Sequence, residues 1–571
     1  MAKKLAPVAD RQAALSRRFS PWAGQTLHGV LDGAVSLFGG RPLVIADQRV
    51  WTYRELAEWS RRLASGLTAA GIVRGDKVAL LLANYPEFVA LKYAISRLGA
   101  IAVPINIMNR RDELRYVLKQ SESAMLVTMD QFRGVDYLAA LDEVAAGWEQ
   151  SGGGSALPHL RRIVVLPTGE APPRGRTTTV VDLEVQVDPA IEPAGEIVRP
   201  CDLCDIIYTS GTTGSPKGVL LTHDMLTRTA FGAAYARAFE DGRRILFSLP
   251  LYHVFGYVEG MLAVPYVGGA IVPQLRFDAV GTLEGIVRHK ASDALLIPAM
   301  TLAMLDAARE QLFDLSSWRA VLASGGRAPP RLWQEVRQVF GVQEITTGYG
   351  MTETTASTTV TRPDDPEERL LNTNGRMRDV GPAGAEGPGH RLADYRVCDP
   401  ATGAVLPAGE IGELQASGLG VTKGYYNKPE ATAAAFTEDG WLRTGDLGRI
   451  DADGYITLVG RTKESYRCGG EQVLPTEVED LLTTHPDVVQ AQVVPVPDER
   501  MGEVGVAFLV ARPGAVLDPE VMKAMVAARL ARFKVPRHVI VVTADDIPTT
   551  ASGRARKFLL AEKAQQMLRI S

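Results

Sequence analysis

Short apolar strands alternate with amphipathic helices through the first part of the chain. Thr52 and Glu55 form the pattern of a capping box that opens a helix. Residues 77–82 are a buried-strand pattern, Pro86 opens a second helix, and residues 101–103 are again a short strand. This alternation predicts parallel strands joined by helical crossovers. The same pattern recurs around residues 245–249, 294–297 and 320–323.

Composition and length narrow the class of protein further. A chain of 571 residues is too long for one hydrophobic core, so we expect two or more domains. The net charge of −4 gives no electrostatic basis for a nucleic-acid partner. No apolar run is long enough to span a membrane, and the charged first residues do not form a signal peptide. These features predict a cytoplasmic enzyme.

The last hundred residues form the pattern of a separate small α/β unit. Thr476 and Glu479 are spaced as a second capping box, residues 488–496 and 505–511 are predicted strands, and Asp518 starts a further helix. We place the domain boundary between residues 1–462 and 463–571.

A loop rich in Ser, Thr and Gly follows the predicted strand at 205–208. Residues 208–219 read YTSGTTGSPKGV, and their hydroxyls, backbone N–H groups and Lys217 suit phosphate oxygens. The loop is not a Walker A motif, because Pro216 precedes Lys217 and Gly218 follows it. The alternative is a surface loop with no ligand.

A second candidate site is TTGYGMTE at residues 346–353. Its Tyr349 suits stacking on a base, Thr352 suits contact with a phosphate, and Glu353 suits Mg²⁺. The alternative interpretation is a glycine-rich turn.

Two further stretches suit a nucleotide. In WLRTGD, at residues 441–446, Asp446 suits a carboxylate that accepts hydrogen bonds from a ribose diol. A turn-capping aspartate is the alternative. In ASGGRAP, at residues 323–329, a strand ends in two glycines, which lets a ligand approach the backbone.

Taken together, these stretches resemble the AMP-forming adenylating enzymes: acyl-CoA synthetases, peptide-synthetase adenylation domains and beetle luciferases. The resemblance extends from about residue 27 to residue 557 and is most like a stand-alone acyl-CoA synthetase. The stretches that carry it are YTSGTTGSPKGV, LPLYHVFG, YGMTE, GYYNKPEATAAAF, GWLRTGDLG and GRTKESYRCGGEQVLPTEVE.

The resemblance implies an α/β fold. The expected architecture is a large N-terminal domain of αβαβα-type sheets with a small barrel-like subdomain, plus a small mobile C-terminal α+β domain. It also implies that ATP and a carboxylic acid form acyl-AMP and pyrophosphate with Mg²⁺, and that coenzyme A then takes the acyl group as a thioester.

The resemblance assigns roles to individual residues. Thr352 would contact the α-phosphate, Glu353 and Thr209 the Mg²⁺, and Asp446 the ribose, with Arg461 also at the nucleotide. The phosphate loop would comprise Thr209, Ser210, Gly211, Thr212, Thr213, Gly214 and Lys217. The adenine site would comprise Gly325, Gly326, Arg327, Thr347, Gly348 and Tyr349.

His253, in LPLYHVFG, has two interpretations. A lone histidine among apolar residues is commonly a packed core residue, whereas the resemblance places it at the carboxylate, where it gates the acyl pocket. The pocket walls would be Val254, Phe255, Gly256, Tyr257, Ala323 and Ser324, which suit an apolar acid.

The family uses two orientations of its small C-terminal domain. The hinge position corresponds to Lys463. After rotation, the loop of Cys468, Gly469 and Gly470 would lie beside the pantetheine thiol of coenzyme A.

The chain departs from the family pattern at one catalytic position. In PTTASGRARK, at residues 548–557, Arg554 stands where the family has a lysine that bridges the attacking carboxylate and the α-phosphate. Arginine keeps the charge but is planar, larger and more diffuse. Three hypotheses follow: a complete synthetase that tolerates Arg554, an enzyme of one half-reaction, or a non-catalytic nucleotide-binding homologue.

The sequence does not identify the carboxylic acid or the thiol that accepts the acyl group. Free coenzyme A competes with the phosphopantetheine of a carrier protein, and an adenylating enzyme would need a partner ligase. The apolar LYHVFGY stretch favours an aliphatic, aromatic or polycyclic carboxylate over an amino acid.

Overall fold

The computed structural model describes residues 5–169, 177–185, 197–209, 216–324, 331–385, 390–550 and 553–568. In these residues the α-helices are α1 (Val8–Phe19), α2 (Leu27–Phe38), α3 (Tyr53–Ala69), α4 (Pro86–Arg97), α5 (Arg111–Gln120), α6 (Tyr137–Val144), α7 (Trp148–Ser151), α8 (Val180–Val185), α9 (His223–Ala236), α10 (Ala279–His289), α11 (Pro298–Glu310), α12 (Arg331–Phe340), α13 (Glu367–Asn372), α14 (Pro429–Ala435), α15 (Pro475–Thr483), α16 (Pro519–Ala527) and α17 (Lys557–Leu568).

The strands in the same residues are β1 (Pro42–Ile45), β2 (Val50–Thr52), β3 (Lys77–Leu81), β4 (Ile101–Pro104), β5 (Ser123–Met129), β6 (Gln131–Phe132), β7 (Val135–Asp136), β8 (Arg162–Leu166), β9 (Thr178–Thr179), β10 (Leu203–Thr209), β11 (Lys217–Thr222), β12 (Arg244–Phe247), β13 (Ala270–Pro273), β14 (Asp293–Leu296), β15 (Ala320–Ala323), β16 (Glu344–Thr346), β17 (Gly348–Met351), β18 (Ala356–Val360), β19 (Arg376–Met377), β20 (Asp394–Cys398), β21 (Gly412–Ser417), β22 (Leu442–Ile450), β23 (Ile456–Arg461), β24 (Tyr466–Cys468), β25 (Glu471–Val473), β26 (Val488–Asp498), β27 (Gly502–Ala511) and β28 (His538–Val542). A π-helix spans Phe255–Met261, and 3-10 helices span Val264–Val267, Thr352–Thr354, Gly381–Ala383, Arg532–Lys534 and Ala544–Asp546.

Two large sheets form the N-terminal domain. Sheet A has the strand order β16-β15-β14-β12-β13-β1-β2, and sheet B has the order β11-β10-β4-β3-β5-β8-β9. Pairing is parallel except for the edge strands β2 and β11, which are antiparallel to their neighbours. The parallel strands are apolar and buried along their length, as in β5, because helices cover both faces of such sheets. The predicted alternation of strands and helices is confirmed, and Thr52 and Glu55 do form a capping box at α3.

Two antiparallel sheets follow the large sheets A and B along the chain. Sheet C has the order β17-β18-β19, and sheet D has the order β20-β21-β22-β23. They carry the predicted nucleotide residues Tyr349, Asp446 and Arg461.

The C-terminal elements form a smaller α/β unit with its own sheet and core. Sheet E has the order β25-β24-β27-β26, with β28 parallel to β27. Its buried apolar cluster draws only on residues between Tyr466 and Ala564, as expected of a separately folded domain. The boundary between residues 462 and 463 remains a prediction. No helix in the described ranges is both long enough and apolar enough to cross a bilayer.

The second predicted capping box is wrong. Helix α15 begins at Pro475 with Leu474 as its N-cap residue, and no side chain caps it. Proline is well suited to the first position of a helix, so the helix starts two residues earlier than the Thr476 pattern predicts. The Thr476 hydroxyl instead donates to the carbonyl of Val459 on β23, and the Glu479 carboxylate accepts from the Val493 N–H at 2.7 Å.

Candidate active site

A deep cleft lies between the N-terminal sheets and the small C-terminal unit. Ser248, Ile297 and Ser324 line it, and each directly follows a parallel strand of sheet A. Ligands of α/β proteins bind at this carboxyl edge of the strands. The cleft encloses about 2990 Å³, more than the roughly 300–1,000 Å³ of a site for one small molecule. It therefore has room for several substrate groups in one continuous space.

The phosphate side of the cleft is formed by the ends of β10 and β11. Thr209 and Lys217 are directly paired across these two strands, so the predicted phosphate loop begins and ends at one place. The ammonium of Lys217 lies 4.8 Å from the ring centre of Tyr425, a cation–π contact. Ser210, Gly211, Thr212, Thr213 and Gly214 lie outside the described residues.

Glu353 stands on the same side of the cleft, in the 3-10 helix Thr352–Thr354. Its carboxylate accepts a hydrogen bond from the Tyr425 hydroxyl at 3.0 Å. Burial raises the pKa of Glu353, while the Tyr425 hydrogen bond and the charges of Arg461 and Lys217 oppose that rise. Tyr425 thus joins the predicted metal ligand Glu353 to the predicted phosphate lysine.

Three predicted nucleotide residues meet between sheets C and D. The Tyr349 hydroxyl donates to Asp446 Oδ2 at 2.7 Å, and Arg461 Nε lies 2.6 Å from Asp446 Oδ1. Asp446 is 4% exposed, so these two contacts fix a buried carboxylate in position. Thr347 and Gly348 also line the cleft, and the Ser324 hydroxyl donates to the Gly348 carbonyl at 2.6 Å. Gly325, Gly326 and Arg327 lie outside the described residues.

The predicted acyl end of the cleft is lined by His253, Val254, Phe255 and Ser324. Burial lowers the pKa of His253 to about 4, and its Nδ1 accepts from the Phe255 N–H at 3.2 Å. The imidazole is therefore neutral near pH 7, with Nε2 as its proton-bearing nitrogen.

Three of the predicted pocket walls do not line the described cleft: Gly256, Tyr257 and Ala323. The π-helix turns Tyr257 inward, where its hydroxyl donates to Asp205 at 3.0 Å. Gly256 packs against the backbone of Leu249, and Ala323 is still part of the buried strand β15. The order of residues along LYHVFGY did not distinguish the two sides of this helix.

Arg554 reaches the cleft from the C-terminal unit. Its guanidinium donates to Glu464 Oε1 at 3.1 Å, and burial together with the nearby charge of Arg461 lowers its pKa below the usual value. The preceding Gly553 has φ = 77° and packs so closely that a Cβ there would lie 2.1 Å from Ile297 Cδ1. The loop before α17 is thus seated against the N-terminal domain.

Lys463 and Lys557 also line the cleft, whereas Gly469 and Gly470 do not. Lys557 pairs with Glu479 at 2.6 Å and with Glu464 at 3.5 Å, so it does not take the place of Arg554. Gly469 lies beside Met501. In this structure Arg554 therefore faces the cleft and the Gly469–Gly470 turn does not.

Sequence reasoning did not single out Tyr425 and Glu464. Both lie inside stretches that carry the resemblance, GYYNKPEATAAAF and GRTKESYRCGGEQVLPTEVE. Their presence in those stretches was the one sequence feature that could have marked them as site residues. Their partners, Glu353 and Arg554, are 72 and 90 residues away, and no local pattern pairs them.

The buried histidines give a prediction for acid stability. Burial lowers the pKa of His28, His223 and His253 to about 4, 3 and 4, against 6.5 for an ordinary histidine. Below pH 6.5 the unfolded chain binds protons that the folded chain does not. The stabilisation is therefore complete above 6.5 and declines as pH falls, by about 1.4 kcal/mol per histidine and pH unit down to about pH 4.

The melting temperature is therefore expected to stay level from pH 7.5 to 6.5 and to fall from pH 6.5 to 5.0, a window above the titration of most carboxylates. Differential scanning fluorimetry across this range measures it. The variant His223→Asn should flatten the slope, because asparagine does not titrate. A melting temperature that is constant between pH 7.5 and 5.0 would contradict the prediction.

Comparison with known proteins agrees with this geometry. Residues 31–426 match the family described as AMP-binding enzyme, and residues 477–554 match the AMP-binding enzyme C-terminal domain. The chain belongs to this family of adenylating enzymes.

Relatives are similar along almost the whole chain. A 3-[(3aS,4S,7aS)-7a-methyl-1,5-dioxo-octahydro-1H-inden-4-yl]propanoyl:CoA ligase of Mycobacterium tuberculosis is 33% identical over 94% of this chain and 99% of its own. The mitochondrial medium-chain acyl-CoA ligase ACSF2 of Danio rerio is 30% identical over 96% of this chain and 90% of its own. The structure of o-succinylbenzoate CoA synthetase (MenE) from Bacillus subtilis in complex with the acyl-adenylate intermediate OSB-AMP is 27% identical, with a TM-score of 0.76 over 94% of this chain and 98% of that chain.

The fold and the relatives define the class of enzyme. The protein is an AMP-forming acid–thiol ligase of the acyl-CoA ligase group. The expected two-part α/β architecture, with a large N-terminal and a small C-terminal domain, is confirmed.

Proposed function

We propose that the protein is a complete acyl-CoA synthetase for an apolar carboxylic acid. In the first step a carboxylate oxygen attacks the α-phosphorus of ATP, the bond to the β-phosphate bridge breaks, and pyrophosphate leaves. In the second step the sulfur of coenzyme A attacks the acyl carbonyl carbon, its proton is released, and AMP leaves. Holding the reactants in line and neutralising the leaving phosphates are the main demands of the first step.

Arg554 is the observation that carries this proposal. Although it belongs to the C-terminal unit, its side chain lies in the cleft, close enough to Arg461 for the two positive charges to interact. Arg461 in turn pairs with Asp446, the proposed ribose ligand. A guanidinium in this position supports the view that arginine stabilises the adenylation transition state in place of the usual lysine.

The other proposed roles follow the geometry of the cleft. Lys217 contacts the β- and γ-phosphates, Thr352 the α-phosphate, and His253 the acid carboxylate as a neutral hydrogen-bond donor. Tyr349 and Thr347 adjoin the adenine, and Lys463 is the hinge. Rotation about that hinge would exchange Arg554 for the Gly469–Gly470 turn beside the thiol.

The described residues fit a magnesium ion. The Glu353 carboxylate and the Thr209 hydroxyl are oxygen donors on the cleft wall, and Mg²⁺ in nucleotide sites is held by one or two carboxylates together with phosphate oxygens. No group of three or more His, Cys, Asp or Glu side chains could hold a metal within the described ranges, so the ion would be shared with the triphosphate. When bound, it would neutralise charge on the departing pyrophosphate.

The acid is proposed to be apolar. The cleft wall that includes His253 also carries the apolar side chains of Val254, Phe255, Ile297, Met300 and Trp333. The relatives named above act, by their names, on a polycyclic propanoate and on medium-chain acyl groups. An aliphatic, aromatic or polycyclic carboxylic acid fits such walls because apolar area is removed from water when it binds.

A second candidate is an enzyme of one half-reaction, and the replacement of lysine by Arg554 favours it. Such an enzyme would either pass acyl-AMP to a partner ligase or convert supplied acyl-AMP to a thioester. A non-catalytic homologue is less well supported, because the cleft keeps the Glu353, Lys217 and Asp446 side chains in contact with partners that orient them.

A mass-spectrometric assay separates these possibilities. The protein is incubated with Mg·ATP and a panel of apolar acids, with and without coenzyme A, and acyl-AMP and acyl-CoA are measured separately. Acyl-CoA from free acid is the expected result. Acyl-AMP alone would point to a carrier-protein acceptor or a partner ligase. If neither forms, synthetic acyl-AMP with coenzyme A tests the second half-reaction, and the absence of any product would overturn the proposal.

A further inference from the structure

The backbone that follows Glu353 is strained. Thr355 has φ = 63° and Ala356 has φ = 127°, although neither residue is glycine. Residues held in such conformations cost on the order of 1–3 kcal/mol each and persist only where their surroundings determine them. The contacts of this turn therefore show what holds Thr352 and Glu353 in place.

Local bonds account for part of the support. The Thr354 hydroxyl donates to the Ala356 carbonyl at 3.1 Å, and the Thr355 hydroxyl donates to the Gly420 carbonyl at 2.7 Å. At the same point the pairing of β17 with β18 shifts its register, between Tyr349 and Gly350. The next backbone N–H, that of Ser357, donates to Glu259 Oε1 at 3.2 Å. The Glu259 side chain thus binds the backbone of β18 directly after the strained turn.

That carboxylate is held by a buried arginine. Arg378 Nη2 donates to both oxygens of Glu259, at 3.0 and 3.2 Å, and both side chains are 0% exposed. Arg378 also extends the sheet, because its backbone N–H donates to the Thr358 carbonyl at 2.8 Å. Its Nε and Nη1 have no hydrogen-bond partner in the described structure. A buried ion pair in which two donor groups lack hydrogen-bond partners contributes little to stability. We therefore ascribe to this pair a role in positioning the residues it contacts.

Glu259 belongs to the π-helix Phe255–Met261, whose first residue lines the acyl end of the cleft. The same helix holds Asp205 of β10 through Tyr257, and β10 ends at Thr209. One helix therefore contacts the strand that leads to the phosphate side and the strand that leaves Glu353. The π-helix is a rare type of helix, and its turns are frequently found at functional sites.

We propose that Glu259 and Arg378 are positioning residues of the adenylation site. The Glu259 carboxylate, held by Arg378, accepts the Ser357 N–H and so holds the strained turn of Thr352 and Glu353 in register with the helix that walls the acyl pocket. Occupancy of the acyl pocket and binding of Mg·ATP are coupled through this contact. The inference rests on the proposed function, since it assumes that the acid and ATP bind at these two places.

Two double variants isolate the contact. Glu259→Gln with Arg378→Met removes both charges but leaves the Gln carbonyl to accept from Ser357. Glu259→Met with Arg378→Met removes the same charges and the acceptor. We expect the Met/Met variant to lose on the order of 10² in the kcat of acyl-AMP formation, the effect of a misplacement of about 1 Å. The Gln/Met variant should lose less than about tenfold of the same kcat.

A binding measurement gives a readout that does not require turnover. Isothermal titration calorimetry with Mg²⁺ and α,β-methylene-ATP measures nucleotide affinity with and without the best acid of the panel. We expect the acid to raise that affinity in the wild type by a factor in the usual range of about 5–150, and the Met/Met variant to lose this coupling. Equal behaviour of the two double variants would overturn the proposal.

The stability of the variants is checked by their melting temperatures. If the Met/Met variant does not fold, Glu259→Asp decides: it keeps the charge beside Arg378, but its carboxylate is one methylene too short for Ser357. Loss of coupling in Glu259→Asp is expected, and wild-type coupling would contradict the proposal. A wild type that binds the analogue but forms no acyl-AMP with any acid would refute the proposed function alone. In that case the affinities of the two double variants for the analogue still test the proposed contact.

Discussion

Replacing Arg554 by alanine is expected to lower the rate of acyl-AMP formation by about 10²–10³, the usual effect of removing one transition-state donor. The guanidinium lies in the cleft near Arg461 and is oriented by Glu464. In the proposed reaction, the second half-reaction uses the other orientation of the C-terminal domain. Thioester formation from synthetic acyl-AMP should therefore change by less than about threefold.

The measurement is a pair of assays on one preparation: pyrophosphate release from Mg·ATP and acid, and acyl-CoA formation from acyl-AMP and coenzyme A. Arg556→Ala serves as the matched control, because it removes a neighbouring arginine of the same loop. Equal losses in both assays for Arg554→Ala would mean that the residue supports the fold and not the adenylation step. Arg554→Lys tests whether the position accepts the more common residue: activity above wild type would mark arginine as an impaired substitute.

The second large effect is expected at Asp446. Asp446→Ala removes the acceptor of the Tyr349 hydroxyl and leaves Arg461 without its partner on β22. A hydrogen bond to a charged group contributes about 1.5–3 kcal/mol, so loss of the proposed ribose contact should lower nucleotide affinity by roughly 10- to 150-fold. The proposed ribose contact is lost in the same variant.

Calorimetry with Mg²⁺ and α,β-methylene-ATP measures this loss. Asp439→Ala is the control, since Asp439 also pairs with an arginine of sheet D, Arg396, but its side chain is 57% exposed. Exposed pairs contribute about 0–1 kcal/mol, so its nucleotide affinity should stay within about threefold of wild type. Unchanged affinity in Asp446→Ala would show that the nucleotide does not contact this side chain.

Most of the elements and many of the site residues followed from local pattern. The buried run at 77–82 corresponds to β3, and the Thr52 and Glu55 pattern marks the start of α3, because burial and capping depend on neighbours in the chain. The wrong prediction of a capping box at Thr476 shows the limit of such local patterns. Its hydroxyl has a local option as a helix cap, but a carbonyl of β23, distant in sequence, takes it instead.

Contacts between distant residues could not be predicted in this way. Three contacts join elements that are far apart along the chain: the Tyr425 hydroxyl with Glu353, Glu464 with Arg554, and Glu259 with Arg378. Periodicity carries no information about which partner a polar side chain meets. Gly256 and Tyr257 also turn away from the cleft, because they belong to a π-helix in which Tyr257 contacts Asp205, a residue distant in sequence.

The sequence by itself therefore determined the class of fold, the family and many of the residues that line the cleft, because these depend on local propensity and on motifs of fixed spacing. Only the tertiary structure decided how those residues are oriented. It placed Arg554 in the cleft beside Arg461, showed that Lys557 is engaged with Glu464 and Glu479, and joined the acyl wall to Glu353 through one buried carboxylate. Orientation is set by long-range packing and by the pairing of buried charges, which no short stretch of sequence contains.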